Sequence, residues 1–205
     1  MIRYSRILVI AALTGLVAAC ATAPPPQQEN ACKIFESKRS WYSATRKVEK
    51  KYGVPISLQL AIVKQESAFR SHAKPERGKF LFIFPGARPS SATGYAQALD
   101  TTWETYKADT GRRFSDRNNF SDAVDFIGWY ADLSRQRSGI RPGDAYNQYL
   151  AYHEGQGGYN RGTYRSKPGV QSIARQVAHT AQTYESQLNR CEKKFRRGIP
   201  LIPFI

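Results

Sequence analysis

Apolar residues recur at helical spacing along most of this chain, and glycines, prolines and capping residues punctuate the runs. The strongest run opens behind Val54-Pro55. Ile56, Leu60, Val63 and Ser67 fall on one side of a helix there, and Pro55 stands where a first turn tolerates it. Glu66 arrives in the last turn of that helix. Upstream, Trp41–Tyr52 reads as a helix with a basic wet side, stopped by Gly53. Downstream, Asp100 or Thr101 caps a short helix carrying Trp103 and Tyr106, with Thr101 and Glu104 spaced as a capping box and Gly111 as the stop. Ser121–Gln136 is the longest middle helix, with Ala123, Phe126, Ile127, Tyr130 and Leu133 at core spacing. Asp144 caps the next, whose Tyr149, Ala151 and Tyr152 precede Gly155, Gly157 and Gly158. Val170–Lys194 closes the series with Ile173, Val177, Ala181, Tyr184 and Leu188. Lys79–Gly86 departs from the pattern: it is aromatic and β-branched, bounded by breakers and too short for a stable helix, so it reads as extended. The fold class is therefore all-α, with a mainly helical α+β arrangement as the alternative.

Glu66 is the one acidic residue delivered by a helix that must otherwise be buried. Burial penalises the carboxylate more than the carboxylic acid, and the nearby helix C-terminus adds to that penalty, so the pKa should rise toward the range a general acid needs. Taken by itself, a helix-end Glu is most often a solvated surface residue. The odds change with two polar, glycine-punctuated stretches, Gly94-Tyr95-Ala96-Gln97 and Ala151-Tyr152-His153-Glu154-Gly155.

Together with Glu66-Ser67-Ala68-Phe69, these stretches resemble, in order, the three motifs of the soluble lytic transglycosylase (SLT) domain, a goose-lysozyme-like muramidase fold. The resemblance runs from about Tyr42 to about Leu188. The family usually carries Met or Leu where this chain has Ala96, and Asn where it has His153. Its spacing between the first two motifs is generally shorter, which makes part of Arg77–Arg88, including Phe80–Phe84, an insertion that either packs over the domain or forms a lip beside the substrate groove or a partner contact. The resemblance implies a lyase that cuts the β-1,4 bond between N-acetylmuramic acid and N-acetylglucosamine and leaves a 1,6-anhydro end, with Glu66 as both acid and base. Ser67, Gly94, Tyr95, Gln97, Tyr149, Tyr152 and His153 are the matching substrate-site positions. From the residues alone, Gln97 reads as a solvated loop amide, and Tyr149 and Tyr152 as core with their hydroxyls satisfied. His153 is either a neutral donor to the sugar or a helix-end residue on free carbonyls. Gly94 serves the backbone.

A glycosidase of the usual kind needs a second carboxylate. Glu76, Asp100, Asp144 and Glu154 are the available ones, each in a loop, cap or turn where acidic residues serve structure. Alternatives to the lyase are a muramidase that hydrolyses the same bond and a non-catalytic envelope scaffold that binds peptidoglycan. No metal-binding cluster, phosphate loop or nucleotide fingerprint is present, and no cofactor is expected. The aromatic residues Tyr95, Trp103, Trp129, Tyr130, Tyr159 and Tyr164 would allow sugar stacking, although helical spacing favours core for both tryptophans.

Residues 1–20 change the picture of location. Arg3 and Arg6 precede the apolar run Ile7–Val17, and Val17-Ala18-Ala19-Cys20 reads as a bacterial lipoprotein signal with Cys20 as the lipidated first mature residue. The run is too short to span a bilayer. By resemblance to lipoprotein sorting, Ala21 points to the outer membrane of a Gram-negative bacterium, with the domain in the periplasm. Residues 21–30, with Pro24-Pro25-Pro26 and Gln27-Gln28, read as a tether, leaving 31–205 as a single domain. Cys32 and Cys191 remain as a pair, and in an oxidising compartment they form a disulfide. The formal charge of +15, from 31 basic and 16 acidic residues, favours an anionic partner. Nucleic acid conflicts with the export signal, whereas the wall, or an envelope-spanning secretion or conjugation machine, does not.

Overall fold

A computed structural model of the chain describes residues 23–76, 79–80, 84–85 and 90–196. The leader with Cys20, the residues from 197 onward and most of the Arg77–Arg88 insertion lie outside the described residues. Seven α-helices are found among those described: α1 (Ala31–Ser37), α2 (Arg39–Tyr52), α3 (Ile56–Ser67), α4 (Asp100–Thr110), α5 (Phe120–Ser138), α6 (Ala145–Arg161) and α7 (Pro168–Arg196). Two antiparallel two-residue strands, β1 (Lys79–Phe80) and β2 (Phe84–Pro85), pair Lys79 with Pro85 and Phe80 with Phe84. The fold is all-α, and the extended reading of the insertion is met where it is described.

The arrangement is built around α3. Its sequence reads as one-sided, yet every residue from Ile56 to Val63 is buried, because α2, α5 and α7 all pack against it. Gln59 is tolerated inside because its amide donates to the carbonyls of Thr45 (3.1 Å) and Val54 (2.9 Å), replacing the water it gave up. An aromatic cluster closes the adjoining core: Trp41 stacks on Phe120 at 3.8 Å, and Phe69 and Tyr95 lie against the same indole. Trp103 and Trp129 are both buried, as their spacing predicts.

Several boundaries differ from the expectation for local reasons. Helix α1 precedes Trp41, with the Asn30 side chain accepting from Lys33 N. The tether reading ends too late: Pro25 is buried, Tyr184 donates to the Gln28 carbonyl, Gln187 donates to the Glu29 carbonyl (3.0 Å), and Lys64 pairs with Glu29. The Thr101–Glu104 capping box does not form. Ser91 Oγ takes the Asp100 N–H at 3.0 Å instead, and Glu104 pairs with Lys107. Helix α7 begins at Pro168, where the missing N–H costs nothing, and α6 resumes beyond its glycine break to end at Arg161. Cys32 and Cys191 are joined, Cα to Cα 6.0 Å, fastening α1 to the end of α7.

Candidate active site

Glu66 occupies the last turn of α3, and the chain turns away from it through two consecutive residues in the left-handed region, Ala68 (φ 47°) and Phe69 (φ 58°). Non-glycine residues adopt this conformation only where the surroundings dictate it. Here Phe69 is drawn wholly into the core. The turn ends the helix abruptly and leaves the Glu66 side chain partly open rather than covered by a following turn.

Surrounding protein leaves the Glu66 carboxyl little room for water, and this desolvation raises its pKa to about 7 against the opposing effect of a hydrogen bond from Tyr149. Those are the two influences on it, and no second carboxylate is among them. Tyr149 is 3% exposed, and burial with the adjacent Glu66 charge pushes its hydroxyl well above the ordinary phenol range. Tyr152 is held neutral in the same way, first by burial and then by Glu66. Both phenols therefore act as neutral hydrogen-bonding groups.

The loop carrying Gly94-Tyr95-Ala96-Gln97 is sewn to the segment that leaves Glu66. The Ala73 carbonyl accepts from Gly94 N (2.9 Å), Gln97 Nε2 (2.9 Å) and Thr93 Oγ1 (3.3 Å). Gln97 Nε2 also donates to the Gly94 carbonyl at 2.9 Å, so both of its amide hydrogens are engaged. From the opposite side, the Tyr152 hydroxyl donates to the Ala96 carbonyl at 2.5 Å. Gly94 is required twice over: its φ is 80°, and a Cβ there would lie 2.1 Å from the Arg117 carbonyl oxygen.

Beside this loop lies a groove of about 270 Å³. Gln97, Ala98, Leu99 and Thr102 line it from the loop and the start of α4, Phe126 and Tyr130 from α5, and Tyr152, His153, Glu154 and Gly155 from α6. Gly155 (φ 72°, ψ 155°) breaks α6 in a conformation essentially reserved for glycine, and the break turns the chain at the groove's edge. Glu66 is not among the residues lining this groove; Tyr152 lines it and feels the Glu66 charge.

The matching positions thus separate. Tyr152, Gln97 and His153 line the groove, whereas Glu66 and Tyr149 bear on one another and on Tyr152 without lining it. Ser67 does not join them: it is 1% exposed and its hydroxyl donates to the Val63 carbonyl at 2.9 Å, so no donor is left for a sugar. Tyr95 is likewise core, 4% exposed, edge-on to Trp41 and Phe120, with its hydroxyl bonded to Ser71. Tyr159 and Tyr164 stack on each other. His153 meets neither a free carbonyl nor solvent alone; its Nδ1 lies 3.0 Å from Glu154 Oε1.

The other carboxylates are committed elsewhere. Thr163, Lys167 and His153 surround Glu154 and hold its pKa down to about 2, which removes it as a proton donor near neutrality. Asp100 pairs with Arg117 at 2.7 Å, Asp144 caps α6 by accepting from Asn147 N, and Glu76 is exposed. Sequence reading missed Leu99, Thr102, Phe126 and Lys167 as site neighbours. Only the i, i+4 pairing of Phe126 with Tyr130 signalled a shared face, and it was read as core.

Helices wrapped round a buried central one, with an acid at its end, make this a lysozyme-like domain. The chain belongs to the Transglycosylase SLT domain family, whose profile matches residues 8–191. Membership carries transglycosylase-type activity toward peptidoglycan as the general function. A comparison with curated proteins returns no match.

Proposed function

We propose that the protein is a peptidoglycan lytic transglycosylase in which Glu66 is the sole catalytic carboxyl. The observation that carries this reading is the desolvated Glu66 with no other carboxylate acting on it. All sixteen acidic residues of the chain fall among those described, so the second carboxylate of a conventional glycosidase has no hidden source. With a pKa of about 7, Glu66 is roughly half protonated at neutral pH.

In the first step the carboxyl proton passes to the oxygen linking N-acetylmuramic acid to N-acetylglucosamine, and the bond from C1 to that oxygen breaks. The resulting carboxylate then takes the proton of the muramyl C6 hydroxyl as that oxygen bonds to C1. A 1,6-anhydro ring closes, Glu66 regains its proton, and no water enters. We assign the balancing of positive charge at C1 to fixed neutral dipoles, the oxygens of the Tyr149 and Tyr152 hydroxyls and of the Gln97 amide. Gln97 serves through its oxygen because its nitrogen is engaged by the loop.

Mass spectrometry of muropeptides released from purified sacculi tests this reading. The lyase yields anhydro ends. Products heavier by one water would assign the hydrolase, and sacculus binding without release would assign a scaffold.

We further propose that Cys20 is lipidated and holds the domain at the outer membrane, a reading supported by the order of Arg3, Arg6, the apolar run and Cys20. A palmitate analogue should label the wild type and not Cys20→Ser. Equal labelling of both would remove the anchor.

A further inference from the structure

One buried carboxylate at the groove takes no part in the proposed reaction. Glu154 lines the groove from α6, yet its side chain is only 4% exposed. Three donors converge on it: Lys167 Nζ, 3.0 Å from Oε1 and 2.9 Å from Oε2; Thr163 Oγ1 on Oε2; and His153 Nδ1, 3.0 Å from Oε1. Thr163 and Lys167 belong to the short turn that follows α6. That turn closes on Glu154 because residue 158 is glycine: a Cβ there would lie 3.1 Å from Thr163 Oγ1 and 3.2 Å from Glu154 Cβ. Holding the turn needs only the Thr163 and Lys167 contacts, so the third partner calls for another reason. His153 lines the groove and is 43% exposed, and its second ring nitrogen, Nε2, has no hydrogen-bond partner among the described residues. Its ring centroid lies 6.5 Å from that of Tyr149, one helical turn back, whose hydroxyl bonds Glu66.

We infer that Glu154 is a positioning residue that fixes His153 as a hydrogen-bond acceptor in the groove, with Nδ1–H held by the carboxylate and Nε2 offered to the glycan. The inference rests on the proposal that the groove takes peptidoglycan. A carboxylate paired with a lysine ammonium and a hydroxyl can only accept, so the proton it shares with a neutral imidazole sits on Nδ1. The other nitrogen then carries a lone pair and no proton. Sugar hydroxyls and N-acetyl N–H groups are the donors that such a lone pair selects. An isosteric change reverses this polarity. In Glu154→Gln, Thr163 and Lys167 still need an acceptor at the Oε2 position, so the amide oxygen goes there and the amide NH₂ faces His153. Nδ1 must then accept, the ring proton moves to Nε2, and the groove offers a donor where it had offered an acceptor.

Nitrogen-15 to proton correlation NMR of the imidazole rings in their neutral form reads the tautomer, with His153→Ala used to assign one of the three histidines. The wild type should carry its ring proton on Nδ1 and Glu154→Gln on Nε2. Affinity for soluble peptidoglycan glycan strands is measured alongside by calorimetry, in protein that also carries Glu66→Gln so that the strands stay uncut. Losing one hydrogen bond to the glycan should weaken binding by about three- to tenfold in Glu154→Gln, and that change should add nothing once His153 is alanine. Circular dichroism controls for the fold. A wild-type ring protonated on Nε2 would overturn the inference whether or not the Gln variant folds. An equal loss of glycan binding from Glu154→Gln with His153 present or replaced would overturn it too, because a carboxylate that only pins the turn gives that result. Neither readout uses catalysis: the expected tautomers and affinities from a protein that releases no anhydro ends would remove the lyase and leave this inference standing.

Discussion

Replacing Glu66 with Gln should lower glycan cleavage by about 10² to 10⁴-fold or more while giving a protein that is more stable than the wild type above neutral pH. On the proposed mechanism the activity loss follows from removing the one carboxyl assigned to give and take the proton. The stability gain follows from linkage. The folded pKa of about 7 lies above the ordinary value of 4.5, so burying the ionised form opposes folding. Below pH 4.5 the group is protonated in both states and the penalty is absent. As pH rises through 7 the folded protein must ionise a desolvated carboxyl, and the cost approaches about 3 kcal/mol by pH 8, with the partial opening of the side chain making this an upper figure. Glutamine keeps an oxygen for Tyr149 and carries no charge. Urea unfolding of the two proteins should therefore nearly coincide at pH 4.5 and diverge at pH 8 in favour of the variant. A variant that is inactive and also less stable at pH 8 would mean that Glu66 holds the fold together rather than storing an unfavourable charge for use.

Reduction of the Cys32–Cys191 bond should be the most damaging change that leaves the groove untouched. The two cysteines are separated by 159 positions, and a cross-link closing so long a loop removes unfolded-chain entropy worth about 5 kcal/mol in the chain-entropy model, with actual gains often smaller. That is comparable to the whole stability of many domains. The bond also fixes α1 against α7, where Gln187 Oε1 accepts from Ala31 N at 2.7 Å and Phe35 packs on Phe195. The Cys32→Ser/Cys191→Ser protein should melt at least about 5 °C lower and should fray first at α1. Intact mass should rise by two hydrogens on reduction, and alkylation without reductant should leave both cysteines untouched. Coincident urea curves for the oxidised and reduced protein would show that the cross-link adds nothing.

The helices were legible because their apolar spacing and their stops are local: Gly53 and Gly111 end α2 and α4 where the sequence places them. Glu66 was legible for the same reason, as an acid at the end of an apolar run. Helix α1 escaped notice because seven residues carry too little periodicity, although Asn30 was a usable capping signal. The roles within the motifs were harder to read. A motif fixes which residues sit near the site but not which way each points, so Ser67 and Tyr95 share the resemblance with Gln97 yet face the core. The contact between Tyr149 and Glu66 joins α6 to α3 and has no local signature. The same is true of the Thr163 and Lys167 contacts that disable Glu154 as an acid.

Everything proposed for the chemistry turns on the state of one carboxyl. Carbon-13 NMR of protein labelled at the glutamate side-chain carboxyl, with Glu66→Gln used to assign the signal, measures that state directly. The Glu66 resonance should titrate with a midpoint near 7, and Tyr149→Phe should move the midpoint higher because the hydrogen bond that favours the carboxylate is gone. A midpoint near 4.5, unmoved by Tyr149→Phe, would leave Glu66 fully ionised at neutral pH and would contradict its role as the proton donor.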